Sequence, residues 1–166
     1  MKTEAFVLTK NGKSSEAFSL QEIQLRSLNE EEIVIETEAF GLNYADVMAR
    51  QGLYRETPPL PCVIGYEVVG RVVKTASPTN EHLLGKRVIA ITHFGGYAKH
   101  AIAPVSTVYD IHDLNANTAL ALTTQGVTAY YMTHYIAPIK KNDQVLIHAA
   151  AGGVGTNPSF TRATAS

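Results

Sequence analysis

The sequence predicts a mainly β fold with some α: a small antiparallel β-barrel, followed by the first helices and strand of an α/β domain. Three observations carry that expectation. Short apolar segments recur between turn signals through the first two thirds of the chain, at residues 5–9, 18–25, 32–39, 66–75, 86–92, 97–103 and 107–111, with the spacing of an antiparallel barrel. The pattern turns helix-like from Asn115 onward. A β-branched run then leads into a glycine turn, and the order helix, strand, glycine turn opens an α/β domain.

Each element has a local cause. Asn11-Gly12, Ser77-Pro78-Thr79-Asn80 and Gly95-Gly96 supply turns between the strands. Ile33, Ile35 and Thr37 alternate with charged residues, as in a half-buried strand. One short helix interrupts the barrel: Asn43 caps it, Asp46 falls at the N3 position and Gly52 stops it. Residues 118–125 and 127–132 read as helical. The run Gln144-Val145-Leu146-Ile147 follows the polar loop Lys140-Lys141-Asn142-Asp143 and reads as a parallel strand buried on both faces.

The turn after that run, His148-Ala149-Ala150-Ala151-Gly152-Gly153-Val154-Gly155, is the strongest chemical signal in the chain. Ala149, Gly152 and Gly155 have the spacing of an Ala variant of the dinucleotide-binding fingerprint. Small residues there let backbone amides and a helix N-terminus approach a pyrophosphate. The alternative is an ordinary surface turn; the preceding strand pattern favours the fingerprint. A helix is expected to follow, but Pro158 falls early in it and residues 156–166 show no apolar stripe. The residue that reads the ribose usually lies roughly 20 positions past the fingerprint, further than this chain extends. The domain expectation is therefore a barrel over 1–114, the opening of a nucleotide domain over 115–156, and an atypical tail over 157–166, as a frameshift, deletion junction or scar leaves.

Bulk properties narrow the partners. Fourteen basic and fifteen acidic residues among 166 leave a net charge of −1, and no Lys/Arg run marks a nucleic-acid or membrane surface. Small neutral ligands fit better. Cys62 is the only cysteine, which excludes a disulfide framework and a Cys-rich zinc lobe and makes a reducing cytoplasm the default expectation. The apolar part of the N-terminus is too short for a signal peptide, and about 18 consecutive apolar residues occur nowhere. The histidines form no i, i+4 pair, and Cys62 has no spaced partner for a tetrahedral metal site.

Four motifs in order carry a resemblance: Asn43-Tyr44-Ala45-Asp46-Val47-Met48-Ala49-Arg50-Gln51-Gly52-Leu53-Tyr54, Gly65-Tyr66-Glu67-Val68-Val69-Gly70, Gly126-Val127-Thr128-Ala129-Tyr130, and the Ala/Gly turn. From the N-terminus to about Gly155 the chain resembles the medium-chain dehydrogenases/reductases, and most the zinc-free quinone oxidoreductase branch with its vesicle amine transport protein-like members. The resemblance implies a GroES-like β-barrel domain followed by an incomplete NADPH-binding Rossmann domain, with NADPH as cofactor and a quinone or enone as substrate. It also implies absence of zinc, because Asn43 and Tyr66 stand where zinc-dependent relatives carry a Cys and a His ligand.

The same resemblance nominates site residues. Asn43 matches a position beside the nicotinamide, where its amide would donate to a substrate carbonyl, although an Asn at a helix start is equally a cap. Tyr44 and Tyr54 match aromatic residues of the substrate cleft, candidates to orient or protonate an enolate; barrel packing is the plainer reading of both. Thr128, with Ala149, Gly152, Gly153, Val154 and Gly155, is assigned to the cofactor. An Arg50–Glu67 ion pair near the cleft is a further expectation, with Glu67 otherwise structural. The activity implied is hydride transfer from NADPH to a quinone or α,β-unsaturated carbonyl, without turnover in a chain lacking most of the cofactor domain. The rival reading is a non-catalytic barrel, inert or a binding module. A third, a chaperonin-like ring subunit, rests on the barrel alone. The apolar residues between 118 and 147 lack partners in so short an α/β segment, so a homo-oligomer or self-association is expected.

Overall fold

Strand β3 (Glu32–Phe40) organises the molecule, because its Ile33, Val34 and Ile35 are all buried. A computed structural model describes residues 1–157. In it, β3 lies inside a five-stranded antiparallel sheet ordered β7-β3-β5-β6-β8, with β5 (Glu67–Thr75), β6 (Arg87–Ile91), β7 (His100–Pro104) and β8 (Val108–Asp110). A second, three-stranded sheet places β1 (Lys2–Leu8) between β2 (Phe18–Gln24) and β4 (Cys62–Val63). An antiparallel bridge from Ala5 to Ala98 joins the two sheets.

The strand expectations agree with these bounds except at the seam. The segment expected to pair from residue 97 becomes a strand only at His100. Before that its backbone bonds alternately across the seam: Phe6 N–H to the Tyr97 carbonyl at 2.9 Å, Lys99 N–H to the Glu4 carbonyl at 2.9 Å, and Thr37 N–H to the Lys99 carbonyl at 2.8 Å. Strand β4, the single-turn helix α1 (Ser14–Ala17) and the 3-10 turns Pro78–Leu83 and Val105–Thr107 were not anticipated. Gly70 in β5 faces a register shift between Thr37 and Ala39, and a Cβ there would collide with the Glu36 carbonyl oxygen. This close approach requires glycine.

The two faces of the large sheet do different work. Ile33, Ile35, Val68, Val72, Val88, Ala90, Ala101 and Ala103 form the interior. Val69 and Ile89, on the alternate face, pack instead against Ile111, Ala119 and Leu120. That contact docks a continuous helical run onto the sheet: α3 (Ala116–Leu120), a π-type stretch Ala121–Gly126, α4 (Val127–Tyr131) and a second π-type stretch Met132–Ile136. Asn115 caps the run, its side chain accepting from the N–H groups of Asn117 at 2.9 Å and Thr118 at 3.4 Å.

The buried strand expected over 144–147 is not formed. Those residues are unpaired, and Leu146 is 81% exposed. A parallel strand is stable only with neighbours on either side and helices over its faces, and among the described residues none flanks it. The helix expected past Gly155 is not begun at Thr156 or Asn157, and the rest of it falls outside the described residues. No helix among the described residues is long and apolar enough to cross a membrane.

Candidate functional site

The site is built around helix α2 (Tyr44–Arg50). Asn43 holds an extended conformation before it and forms a capping box with Asp46, whose Oδ2 accepts from the Asn43 N–H at 2.9 Å. Gly52, at φ +74°, ends the helix in the left-handed conformation glycine tolerates. These local rules set Asn43 beside β5, only 8% exposed.

There it meets Glu67, which is 1% exposed. A carboxylate so deep requires hydrogen bonds to both oxygens, and it has them. Asn43 Nδ2 donates to Oε1 at 3.0 Å. Thr124, in the first π-type stretch, donates to Oε2 twice, from its backbone N–H at 2.9 Å and from its Oγ1 at 2.6 Å. The Glu67 side chain fills the space where a residue larger than Gly41 would place its Cβ. Arg50 is not its partner: the expected Arg50–Glu67 pair is absent, and the Arg50 guanidinium donates to the Gly12 carbonyl. The charge of Glu67 is matched by three neutral donors instead.

Asp46 is buried beside this group. Desolvation raises its carboxyl above the usual aspartate value, opposed chiefly by the hydrogen bond from the Asn43 N–H. Burial likewise pushes the neighbouring Tyr97 phenol well up, so it stays neutral.

Three tyrosines sit at different distances from this core. Tyr44 is 76% exposed. Tyr54 and Tyr66 meet edge to face, with ring centroids 6.1 Å apart and hydroxyls hydrogen-bonded at 2.8 Å. Tyr66 also packs on Phe94 at 5.3 Å. Burial, then the bond to Tyr54, drives its phenol far above the ordinary tyrosine value. Within the pair the Tyr66 hydroxyl donates to that of Tyr54. Among the described residues no group of three or more His, Cys, Asp or Glu converges to hold a metal.

The glycine turn lies against the helical run at Gln125. Ala149 takes φ +52°, its carbonyl accepts from Gly152 N–H at 2.8 Å, and Thr156 bonds back to Gly152 at 2.9 Å. Gly153 lies against the side chain of Gln125, which fills the space of a Cβ at that position. Gln125 in turn donates to the Leu42 carbonyl at 3.5 Å. Thr128 is exposed and its hydroxyl turns back to the Thr124 carbonyl at 2.6 Å, facing neither the turn nor Asn43.

The structure thus gathers Asn43, Glu67 and Thr124, reaches Gly153 through Gln125, and pairs Tyr54 with Tyr66; Tyr44 and Thr128 stand apart. Thr124 and Gln125 were not foreseen, since a Thr-Thr-Gln stretch in a helix carries no signal. Glu67 did give one: a lone charge beside the apolar pair Val68-Val69 marks a buried, partnered carboxylate.

Comparison with known proteins fits this arrangement. Residues 29–134 match the alcohol dehydrogenase GroES-like domain. A probable quinone oxidoreductase of Schizosaccharomyces pombe is 38% identical over 125 residues, 74% of this chain and 37% of that protein. The crystal structure of the human synaptic vesicle membrane protein VAT-1 homolog-like protein superposes with a TM-score of 0.85 at 32% identity, covering 93% of this chain and 50% of that one. The quinone oxidoreductase of Thermus thermophilus, solved also in complex with NADPH, superposes with a TM-score of 0.73 at 31% identity, covering 92% of this chain and 47% of that one. The chain spans about half the length of these solved relatives, and less of the yeast protein. The family match and the β fold define the GroES-like domain of the alcohol dehydrogenase class. The chain belongs to the medium-chain dehydrogenase/reductase family, among the quinone oxidoreductases and VAT-1 homologues.

Proposed function

We propose that this chain carries the substrate side of an NADPH-dependent oxidoreductase that reduces quinones or α,β-unsaturated carbonyls without zinc, in the cytoplasm. The observation that carries the reading is the buried Asn43–Glu67 hydrogen bond: it fixes one amide N–H and leaves the second for a substrate carbonyl. Residues 115–156 are read as the opening of the nucleotide domain, with 157–166 an atypical tail. The composition Ala149, Gly152, Gly153 and Gly155 is of the kind that lets a pyrophosphate approach backbone amides, and in this reading Gln125, whose side chain occupies the space beside Gly153, gives way when the nucleotide binds. Ala149, Gly152, Gly153, Val154 and Gly155 are its contacts in this reading. Bound NADPH supplies the hydride. Asn43 stabilises charge developing on the carbonyl oxygen in place of a metal. Tyr44, or Tyr54 backed by Tyr66, delivers the proton. Thr128 belongs to this reading only if its hydroxyl leaves the Thr124 carbonyl.

The test is NADPH oxidation with a quinone or enone acceptor, measured on the 166-residue chain and on the chain extended by a complete nucleotide domain. The short chain is expected to bind NADPH weakly and to turn nothing over, because no sheet among the described residues supports the 144–147 segment. The extended chain is expected to be active and free of stoichiometric zinc by elemental analysis. No acceptor-dependent oxidation by the extended chain would favour the non-catalytic barrel. About one tightly bound zinc per chain would overturn the metal-free chemistry.

A further inference from the structure

We propose that Glu67 is a positioning residue that locks the flip state of the Asn43 amide and couples it, through Thr124 and Gln125, to the glycine turn. The inference rests on the reading of Asn43 as the substrate-side donor. A side-chain amide is nearly symmetric in shape, so only its hydrogen-bond partners decide which end is nitrogen. Both Glu67 oxygens act as acceptors, so the nitrogen end of the amide faces it, with Asn43 Nδ2 donating to Oε1 at 3.0 Å. Its other oxygen is held by two donors of Thr124, at 2.9 and 2.6 Å. The carboxylate is therefore pinned from the helical run and cannot rotate without releasing that run.

The connection continues in both directions along the chain. Gln125, the next residue, has its side chain against Gly153 of the turn and donates to the carbonyl of Leu42, the residue before Asn43. A displacement of the turn is thus felt at two adjacent points of the Leu42–Asn43 segment: through the Gln125 side chain on the backbone and through Thr124 and Glu67 on the amide. The empty side-chain position of Gly41 is part of the device, because it admits Glu67.

The experiment is nuclear magnetic resonance on the intact 166-residue chain, following the Asn43 side-chain NH2 pair, assigned by its loss in Asn43→Asp. Thr124→Val, which touches Glu67 but not Asn43, is expected to shift both Asn43 protons and to speed exchange of the residue-124 amide. Thr124→Ser, which keeps the hydroxyl, is expected to restore the parent positions. Glu67→Gln keeps the volume but can donate as well as accept, so the Asn43 pair is expected to move or double. An Asn43 pair unmoved by Thr124→Val, or moved equally by Thr124→Ser, would overturn the coupling. Because no cofactor or acceptor is present, failure here is separate from failure of the reductase reading, which is judged on turnover alone.

Discussion

At the scale of single residues, the site trades charge against burial. If Asn43 is the donor to a developing oxyanion, Asn43→Ala in an extended, active chain should lower kcat by about 10²–10³-fold, as loss of one such donor does elsewhere; an effect confined to KM would reassign the residue to binding. Asp46 makes a second prediction. Its folded value lies above that of an unfolded aspartate, about 3.9, because burial disfavours the ion. The native state therefore holds the proton more tightly, and stability from this group is greatest below the unfolded value and declines as pH rises toward the folded one. Glu32 has the opposite sign. The Arg26 guanidinium, bidentate at 2.6 Å, holds its carboxyl below the usual range, so its contribution is present above the unfolded value and lost as pH falls through the folded one. The difference between wild type and Asp46→Asn isolates the first effect, since asparagine can still accept from the Asn43 N–H. Urea midpoints should move in favour of the variant as pH is raised from about 4 to about 7, and a constant difference would mean that Asp46 is not carrying this titration.

At the scale of elements, the helical run stands or falls on its ends and on one short contact. Asn115 satisfies two N–H groups at its start, and Asn115→Ala should cost about 1 kcal/mol, read as lower helicity by circular dichroism and a lower melting temperature. Leu120 is the largest buried apolar residue the run presses against Val69 and Ile89; Leu120→Ala should cost about 2–5 kcal/mol if the site cannot collapse. Elements of this kind were legible in the sequence wherever local chemistry decides: the Asn43–Asp46 cap, the Gly52 stop, and apolar strands such as β5 and β6. Elements decided at a distance were not. Strand β4 is two residues long and exists because Val7 and Leu8 pair with it. The segment 144–147 has the composition of a buried strand, yet composition cannot supply neighbours. Glu67 and Thr124 are 57 positions apart in the chain, and no local periodicity connects them.

At the scale of the whole molecule, the distribution of apolar surface is uneven. The barrel has a buried aliphatic interior but also exposes Leu20, Leu42, Leu53, Val73 and Leu84; beyond residue 126 exposed apolar residues crowd one stretch, namely Val127, Tyr130, Tyr131, Met132, Tyr135, Ile136 and Leu146, with Ile136 at 67%. Tyr131 and Tyr135 stack on each other at 5.4 Å rather than on the sheet. Apolar area left in water forgoes roughly 25 cal/mol per Å², so covering a few hundred Å² would recover several kcal/mol, comparable to the whole stability of a small domain. The unpaired 144–147 segment adds backbone N–H and C=O groups that a second chain can pair with. In isolation the 166-residue chain should therefore self-associate, and sedimentation should show species larger than 18.0 kDa. Tyr131→Glu combined with Ile136→Glu should return it toward monomer without lowering barrel stability, because neither residue belongs to the packed interior. Limited proteolysis should cut first beyond Asp113 and leave the barrel whole. A monodisperse, protease-resistant monomer in the parent chain would mean that this surface is covered from within, and the division between barrel and nucleotide domain near residue 114 would have to be redrawn.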